Sequence, residues 1–257
     1  MTRDPGSMQE LYELCVQITN PAANQYGYAF RGKGAPVNHY LPWTFHEVPN
    51  IDPDNQHFLK DGTSVYAGPD FLAALKRYID LYHKAAPADA VNWGFNEQLN
   101  GFISGVTPYL MQDPDAVPTV TEYLTADQFK VIPAPLGKAK TLLGTGRVSA
   151  GLALSARSKN QDEAWAFMTW LSAPAQNAVY AKASGFLPIH TVTYEGDAYF
   201  GGGFYTAWAD IVNTPGYVTF ARDDPRVDLV AAWDQRHEAD LQAVLLGQKT
   251  PEEVCAE

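Results

Sequence analysis

Residues 155–190, SARSKNQDEAWAFMTWLSAPAQNAVYAKASGFLPIH, predict two short helices followed by an extended exit. Asn160 and Glu163 have the spacing of a capping box at the start of the first helix. Pro174 suits the first position of the second helix, and Gly185 suits its C-terminal end. The residues predicted to face inward from the first helix are Ala164, Phe167, Met168 and Leu171. A helical hairpin that runs into Gly-Phe-Leu-Pro predicts a unit from which the chain leaves in a fixed direction.

The rest of the chain alternates predicted strands and helices, which indicates an α/β fold. Ser7 and Pro69 have the positions of helix starts. Tyr26, with Tyr28 and Phe30, alternates as a strand does. Residues 31–66 show no sustained period and predict a long loop with short strands. Further helices are predicted at Phe95–Ile103, near Phe204–Val212 and from Pro225 to Leu246, and extended runs at VTPYLM (106–111), FKVIPAPLG (129–137) and RVSAGLALSA (147–156).

Charge and composition exclude several classes of function. The net charge is −11 and the 18 lysines and arginines are scattered, so no basic stripe exists for a nucleic-acid partner. No apolar run approaches the roughly 20 residues needed to span a bilayer. The first ten residues, MTRDPGSMQE, lack the regions of a signal peptide. The two cysteines, Cys15 and Cys255, fit neither a disulfide framework nor a metal cluster.

No catalytic motif has convincing spacing, so the sequence predicts a protein that is not an enzyme and that needs no cofactor or metal. His39, His46 and Glu47 share one segment, but their spacing is loose for metal ligands. GTGR at 144–147 lacks the remaining glycine and the strand-to-helix context of a dinucleotide fingerprint, and predicts a turn or a close approach of backbone to a ligand.

Asp113 and Asp115 lie two residues apart in one predicted loop. The paired carboxylates of a glycoside hydrolase normally face each other across the substrate from separate segments. A glycoside hydrolase-like enzyme is therefore a remote alternative, and hydrogen bonding to hydroxyl groups is favoured over catalysis.

Aromatic and planar polar residues in predicted loops favour a carbohydrate ligand. Sugar rings stack their apolar faces on aromatic side chains, while their hydroxyls bond to amides, carboxylates and guanidinium groups. The residues that supply this mixture are His39, Tyr40, Trp43, Trp93, Asn96, Gln112, Asp113, Arg147 and Arg222. Each of them alone is more often a packing residue, so the prediction rests on the set.

Four stretches resemble the extracellular solute-binding proteins of ABC sugar importers, the group that contains maltose-, trehalose- and polyol-binding proteins. The most specific is SAGLALSARSKNQDEAWAFMTWLSAPAQNAVYAKASGFLPIH (149–190), similar to the family's crossing to the first lobe, helix pair and return. The others are MQELYELCVQITNPAANQYGYAFRG (8–32), FNEQLNGFISGVTPYLMQD (95–113) and LLGQKTPEEV (245–254). The resemblance implies a type II periplasmic-binding-protein-like fold with two lobes.

On this pattern, residues 1–133 form the α/β part of the second lobe and 134–140 form a hinge crossing. Residues 141–190 are the returning segment of the first lobe, and 191–257 complete the second lobe. Gly185–Pro188 would be the return crossing, because extended segments between lobes permit closure around a ligand.

The resemblance also implies a truncated member, with the second lobe nearly complete and the first represented only by its returning segment. We therefore expect apolar surface to be exposed around Trp165, Phe167 and Tyr180, with self-association as a consequence. A truncated lobe scaffold that binds nothing is the alternative to a binding protein.

A family member would bind a sugar or polyol in an interlobe cleft, deliver it to an ABC permease in the membrane, and lie in the periplasm or outside the cell. The residues at positions where members contact ligand are Tyr40, Trp43, Gln112, Asp113, Arg147 and Arg222, with His39, Trp93 and Asn96 as weaker candidates. The sequence departs from the family pattern at Ser149 and Ala150, and at Thr107-Pro108.

Overall fold

The computed structural model describes residues 3–34, 37–52, 55, 57–139, 151–213 and 227–256. It divides into two compact units. Unit 1 comprises Met1–Met111, Ala134–Val148 and Thr214–Glu257; unit 2 comprises Gln112–Pro133 and Ser149–Asn213. The helices of unit 1 are α1 (Met8–Ile18), α2 (Val37–Phe45), α3 (Pro69–Ala85), α4 (Phe95–Ile103), α11 (Val227–Leu245) and α12 (Pro251–Ala256). The helices of unit 2 are α5 (Ala116–Thr121), α6 (Gln161–Leu171), α7 (Pro174–Ser184), α8 (Thr191–Gly196), α9 (Ala198–Gly201) and α10 (Thr206–Asn213).

The core of unit 1 forms around α3, whose apolar face recurs at helical spacing as the sequence predicts. Phe30 stacks on Tyr78 of α3 with ring centroids 4.6 Å apart, and α1, α2, α11 and α12 all contact this helix. Ser7 caps α1 by accepting a hydrogen bond of 3.1 Å from Glu10 N, which confirms the predicted helix start. Helices α1, α3 and α4 therefore confirm their sequence predictions.

The strand predicted at 26–30 is an extended segment that pairs in parallel with the run at 106–111. Ala29 N donates to Tyr109 O at 2.8 Å and Tyr26 N donates to Val106 O at 2.8 Å. Pairing between extended segments among the described residues is limited to isolated bridges, of which Tyr28 to Tyr109 is the parallel one. The described part of the chain is accordingly rich in helix.

The prediction of a long loop over residues 31–66 is wrong at α2. Pro42 lies inside this helix, where its missing N–H and its ring cost about 3 kcal/mol. Tyr40, Trp43 and Thr44 nevertheless recur at helical spacing and are all buried. Burial of this face outweighs the cost of the proline, since the buried side chains of Tyr40 and Trp43 each stabilise by about 1.5–3 kcal/mol.

Unit 2 has a smaller core of Val117, Ala181, Phe200 and Tyr205. Helices α6 and α7 confirm the hairpin predicted at 155–190, and Gly185 ends α7 in the left-handed conformation, with φ of 77°. A Cβ at Gly185 would lie 2.7 Å from Asp115 Cα, so the chain passes close to the start of α5 here. One passage of the chain between the units falls between Pro133 and Ala134, whereas Gly185–Pro188 lies inside unit 2. The lobe boundaries drawn from the resemblance stay a prediction.

Of two details predicted for α6, the capping box is wrong and the inward face is only partly formed. Asn160 makes no side-chain capping hydrogen bond at the start of the helix, so the capping box is absent there. The inward face is confirmed in part: Ala164, Met168 and Leu171 are half-buried, but Phe167 is 57% exposed and α6 contains no buried residue. The predicted exposure of Trp165, Phe167 and Tyr180 is confirmed, and Trp170 and Val179 are exposed with them.

Candidate functional site

Tyr40 and Trp43, two predicted ligand residues, lie in the core of unit 1. Trp43 is fully buried, and its indole N–H donates a hydrogen bond of 3.0 Å to the Tyr28 hydroxyl. Tyr40 is 4% exposed and stacks on His237 of α11, with ring centroids 6.1 Å apart. Both rings are therefore committed to packing. The spacing of positions 40, 43 and 44 was the signal that the loop interpretation missed.

His46 follows α2 and is also fully buried. Burial lowers the pKa of its imidazole to about 4, and the backbone of Pro135 raises it in part. The neighbouring Glu47 forms an ion pair of 2.9 Å with Arg77 of α3. Among the described residues, no group of three or more histidine, cysteine, aspartate or glutamate side chains is placed to hold a metal ion.

Gln112 and Asp113 begin unit 2, directly before α5. Asp113 N donates to the Gln112 side-chain oxygen at 2.9 Å, which fixes the amide next to the carboxylate. Asp113 is exposed and Gln112 is half-buried. A carboxylate accepts hydrogen bonds from hydroxyl groups and an amide both donates and accepts them, so the pair has the chemistry that a polyhydroxylated ligand requires.

Asn96 lies in α4 and Trp93 lies two residues before this helix, so both belong to unit 1. Trp93 is half-buried and donates its indole N–H to Asp89 Oδ2 at 3.1 Å. It lines a groove of about 420 Å³, here called the Trp93 groove, together with Asn24, Asp89, Glu97, Asn100 and Ser104. Asn96 is exposed on α4 and does not line this groove. Sequence reasoning did not identify the acidic and amide residues of the groove, although Gly101 inside α4 is a signal of close packing.

Three predicted ligand residues fall outside what the structure describes: Arg147, Arg222 and the side chain of His39. The structure thus groups the described candidates into three places. Tyr40 and Trp43 are in the core of unit 1, Trp93 and Asn96 are at α4, and Gln112 and Asp113 are at the start of unit 2.

No helix in the described part of the chain combines the length and the hydropathy needed to cross a membrane.

A solved structure of a maltose-bound protein of T. maritima matches this chain with a TM-score of 0.77 at 19% identity, over 99% of this chain and 64% of that one. An ABC transporter solute-binding protein of Agrobacterium radiobacter K84 in complex with ribitol matches with a TM-score of 0.69, also at 19% identity, over 99% of this chain and 63% of that one. At such identity the likeness establishes the fold, which is that of type II periplasmic binding proteins.

A candidate binding protein of Brucella abortus (strain 2308) is 23% identical over 97% of this chain and 58% of its own length. The chain therefore spans less than two-thirds of the relatives it matches. A sequence profile described as bacterial extracellular solute-binding protein matches residues 1–178, which is more than half of the 257 residues. The chain belongs to the bacterial extracellular solute-binding protein family.

Proposed function

We propose that this chain is the ligand-binding component of an ABC importer and that its ligand is a carbohydrate or a sugar alcohol. The proposal is supported most directly by the fold, which matches over 99% of the chain in proteins solved with maltose and with ribitol. The chain is a receptor in this proposal and not an enzyme. Its partner is the membrane permease of the importer, and its place is the periplasm or the cell exterior.

The proposed ligand contacts are Gln112, Asp113, Arg147 and Arg222, with His39 as a further candidate. Gln112 and Asp113 support the proposal because one amide and one exposed carboxylate are adjacent and held by a hydrogen bond of 2.9 Å. Arginine adds donors in a planar fork that suits pairs of hydroxyl oxygens. Tyr40 and Trp43 enter the proposal as packing residues of unit 1, since their rings are buried.

Thermal unfolding in the presence of single sugars and polyols tests the proposal. A ligand at 100 times its dissociation constant stabilises the folded state by about 2.7 kcal/mol, which raises the Tm by several degrees in a chain of this size. The panel should include maltose and ribitol. Asp113→Ala should abolish the increase in Tm, and Asp127→Ala, an exposed aspartate of the same unit, should keep it.

A lobe scaffold that binds no ligand is the second candidate function. The observation that favours it is α6, which has no buried residue although it carries two tryptophans and a phenylalanine. An extended chain that adds the part of the Brucella relative that this chain does not cover distinguishes the candidates. If only the extended chain binds a ligand, the 257-residue chain is a scaffold. If the 257-residue chain also binds the ligand, it is a competent receptor.

We further propose that the α6–α7 hairpin (Gln161–Ser184) causes weak self-association with a second copy of the chain. Phe167 and Trp170 contact each other, with ring centroids 5.8 Å apart, and both are more than half exposed. Trp165 lies about 200° around the helix from Phe167, so the apolar surface is spread over two faces. Four half-exposed aromatic rings of the hairpin together offer roughly 400 Å² of accessible surface: Trp165, Phe167, Trp170 and Tyr180. A stable interface buries about 800 Å² on each partner, which is twice that area. We therefore expect an equilibrium that depends on concentration.

A further inference from the structure

We propose that the Trp93 groove is a second binding site, lined by residues of unit 1, and that it takes one ring of a neutral saccharide. Every residue that lines the groove belongs to unit 1, whereas Gln112 and Asp113 begin unit 2. The two sites can thus be altered one at a time.

The indole of Trp93 is held as a fixed platform. Its N–H donates to Asp89 Oδ2 at 3.1 Å, and part of the ring packs on the core of unit 1. A Cβ added at Gly101 would lie 2.7 Å from Trp93 Cζ3, so the missing side chain at Gly101 is what lets the ring lie against α4. A ring held in this way loses little conformational entropy when a ligand stacks on it.

The polar lining of the groove is rich in acceptors. Asp89 Oδ2 accepts from Trp93, and Glu97 Oε2 accepts from Gly94 N at 2.9 Å. These bonds orient the two carboxylates, and each carboxylate has lone-pair capacity beyond one bond for a ligand hydroxyl. Asn24 and Asn100 add amides that donate and accept. The combination of an indole with carboxylates and amides matches a sugar ring, which has apolar faces and hydroxyl edges.

The charge of the lining selects against anionic ligands. Asp89 and Glu97 are acidic, and none of the described residues that line the groove is a lysine or an arginine. A phosphorylated sugar would bring its negative charge next to these carboxylates without a cation to pair with it. A neutral saccharide has no such penalty.

The size of the groove sets the expected affinity. A volume of about 420 Å³ is at the lower end of the range for small-molecule sites, and the groove is open to solvent. One stacked ring and a few exposed hydrogen bonds predict a dissociation constant on the order of 1 mM, much weaker than that of a closed receptor site.

Two-dimensional NMR of the indole N–H groups tests the inference on the whole chain, with maltose as the probe. Trp93→Phe identifies the Trp93 signal by its loss. We expect that signal to shift saturably with maltose, and to shift at least tenfold less with glucose 6-phosphate at the same concentration. Asn100→Ala should raise the dissociation constant for maltose about fivefold, because one hydrogen bond to the ligand is lost. Gly101→Ala should abolish the shift by displacing the ring.

The matched controls are Trp170→Phe and Asn160→Ala, which change an exposed tryptophan and an exposed amide of unit 2. Both should leave the response of Trp93 unchanged. Asp113→Ala should also leave it unchanged even when it removes the ligand-induced rise in Tm, so the two proposals can fail separately. Absence of a Trp93 shift at about 100 mM maltose, far above the expected dissociation constant, would overturn the inference. The inference would also be overturned if the Trp93 signal shifted with maltose equally in Asn100→Ala and in the controls. Loss of that shift in Asp113→Ala would overturn it as well.

Discussion

The indole N–H of Trp43 donates a hydrogen bond of 3.0 Å to the hydroxyl of Tyr28, and the two rings meet edge to face with centroids 5.4 Å apart. Both side chains are buried, so neither polar atom can turn to water if the other is removed. This contact attaches α2 to the extended segment at 26–30. It also explains why a helix with an internal proline is stable in this position.

Tyr28→Phe should lower the free energy of unfolding by about 1–3 kcal/mol, because it leaves the Trp43 indole N–H buried without its acceptor. Urea unfolding followed by circular dichroism measures the loss. The control is Tyr123→Phe, which removes a hydroxyl from an exposed ring and should change stability by less than about 0.5 kcal/mol. Equal effects in the two variants would contradict a structural role for the Trp43–Tyr28 bond.

Gly185→Ala should destabilise unit 2 by about 2–4 kcal/mol. The new Cβ would lie 2.7 Å from Asp115 Cα and 2.8 Å from Pro118 Cδ, at a φ of 77° that costs a non-glycine residue about 1–2 kcal/mol by itself. Gly203→Ala separates the two causes, because Gly203 has a φ of 60° and no heavy atom within 4 Å of its Cβ position. Urea unfolding of both variants should show the larger loss for Gly185→Ala, and the reverse order would exclude a collision.

Acid should destabilise the protein through His46. Its folded-state pKa of about 4 lies below the unfolded value of about 6.5, so folding favours the neutral ring. The stability contribution is therefore complete above about pH 6.5 and is lost as the pH falls towards 4, by roughly 3 kcal/mol in total.

His46→Gln cannot titrate, so its free energy of unfolding should fall less than that of the unchanged chain between pH 6.5 and 4. His83→Gln, a change at an exposed histidine of α3, serves as the control and should follow the unchanged chain. Parallel pH profiles for the unchanged chain and His46→Gln would show that burial of His46 does not govern acid stability.

Much of the helical structure could be predicted from sequence because its signals are local. The apolar spacing in α3, the Ser7 cap of α1 and the glycine that ends α7 each act within a few residues. The pairing of the runs at 26–30 and 106–111 fits the alternation predicted at Tyr26–Phe30. The resemblance to solute-binding proteins supplied what local signals could not, which was the family.

The rest depends on contacts between distant residues. Helix α2 forms because Trp43 and Tyr40 find partners on segments far away in sequence, and no local pattern predicts that a proline will be tolerated. The inward face predicted for α6 is only half-buried at Ala164, Met168 and Leu171, because its cover among the described residues is incomplete. The candidate site was predicted as one set of loop residues, but Tyr40 and Trp43 are buried in the core of unit 1.

Phe167→Ser combined with Trp170→Ser should reduce self-association, because it removes the paired exposed rings of the α6–α7 hairpin. Sedimentation velocity at increasing protein concentration measures the effect as a smaller rise in the weight-average sedimentation coefficient. Tyr123→Ser removes an equally exposed ring from another part of unit 2 and should leave the concentration dependence unchanged. A chain that sediments as a monomer at all concentrations would contradict the proposed interface.

Isothermal titration calorimetry of the 257-residue chain with each sugar and polyol of the thermal-unfolding panel tests the proposed receptor function most directly. We expect saturable heat with one equivalent of a sugar or polyol and a dissociation constant in the micromolar range or tighter, and we expect Asp113→Ala to abolish this heat. An absence of heat across the whole panel would contradict the proposed receptor function, provided that the chain unfolds cooperatively under the same conditions.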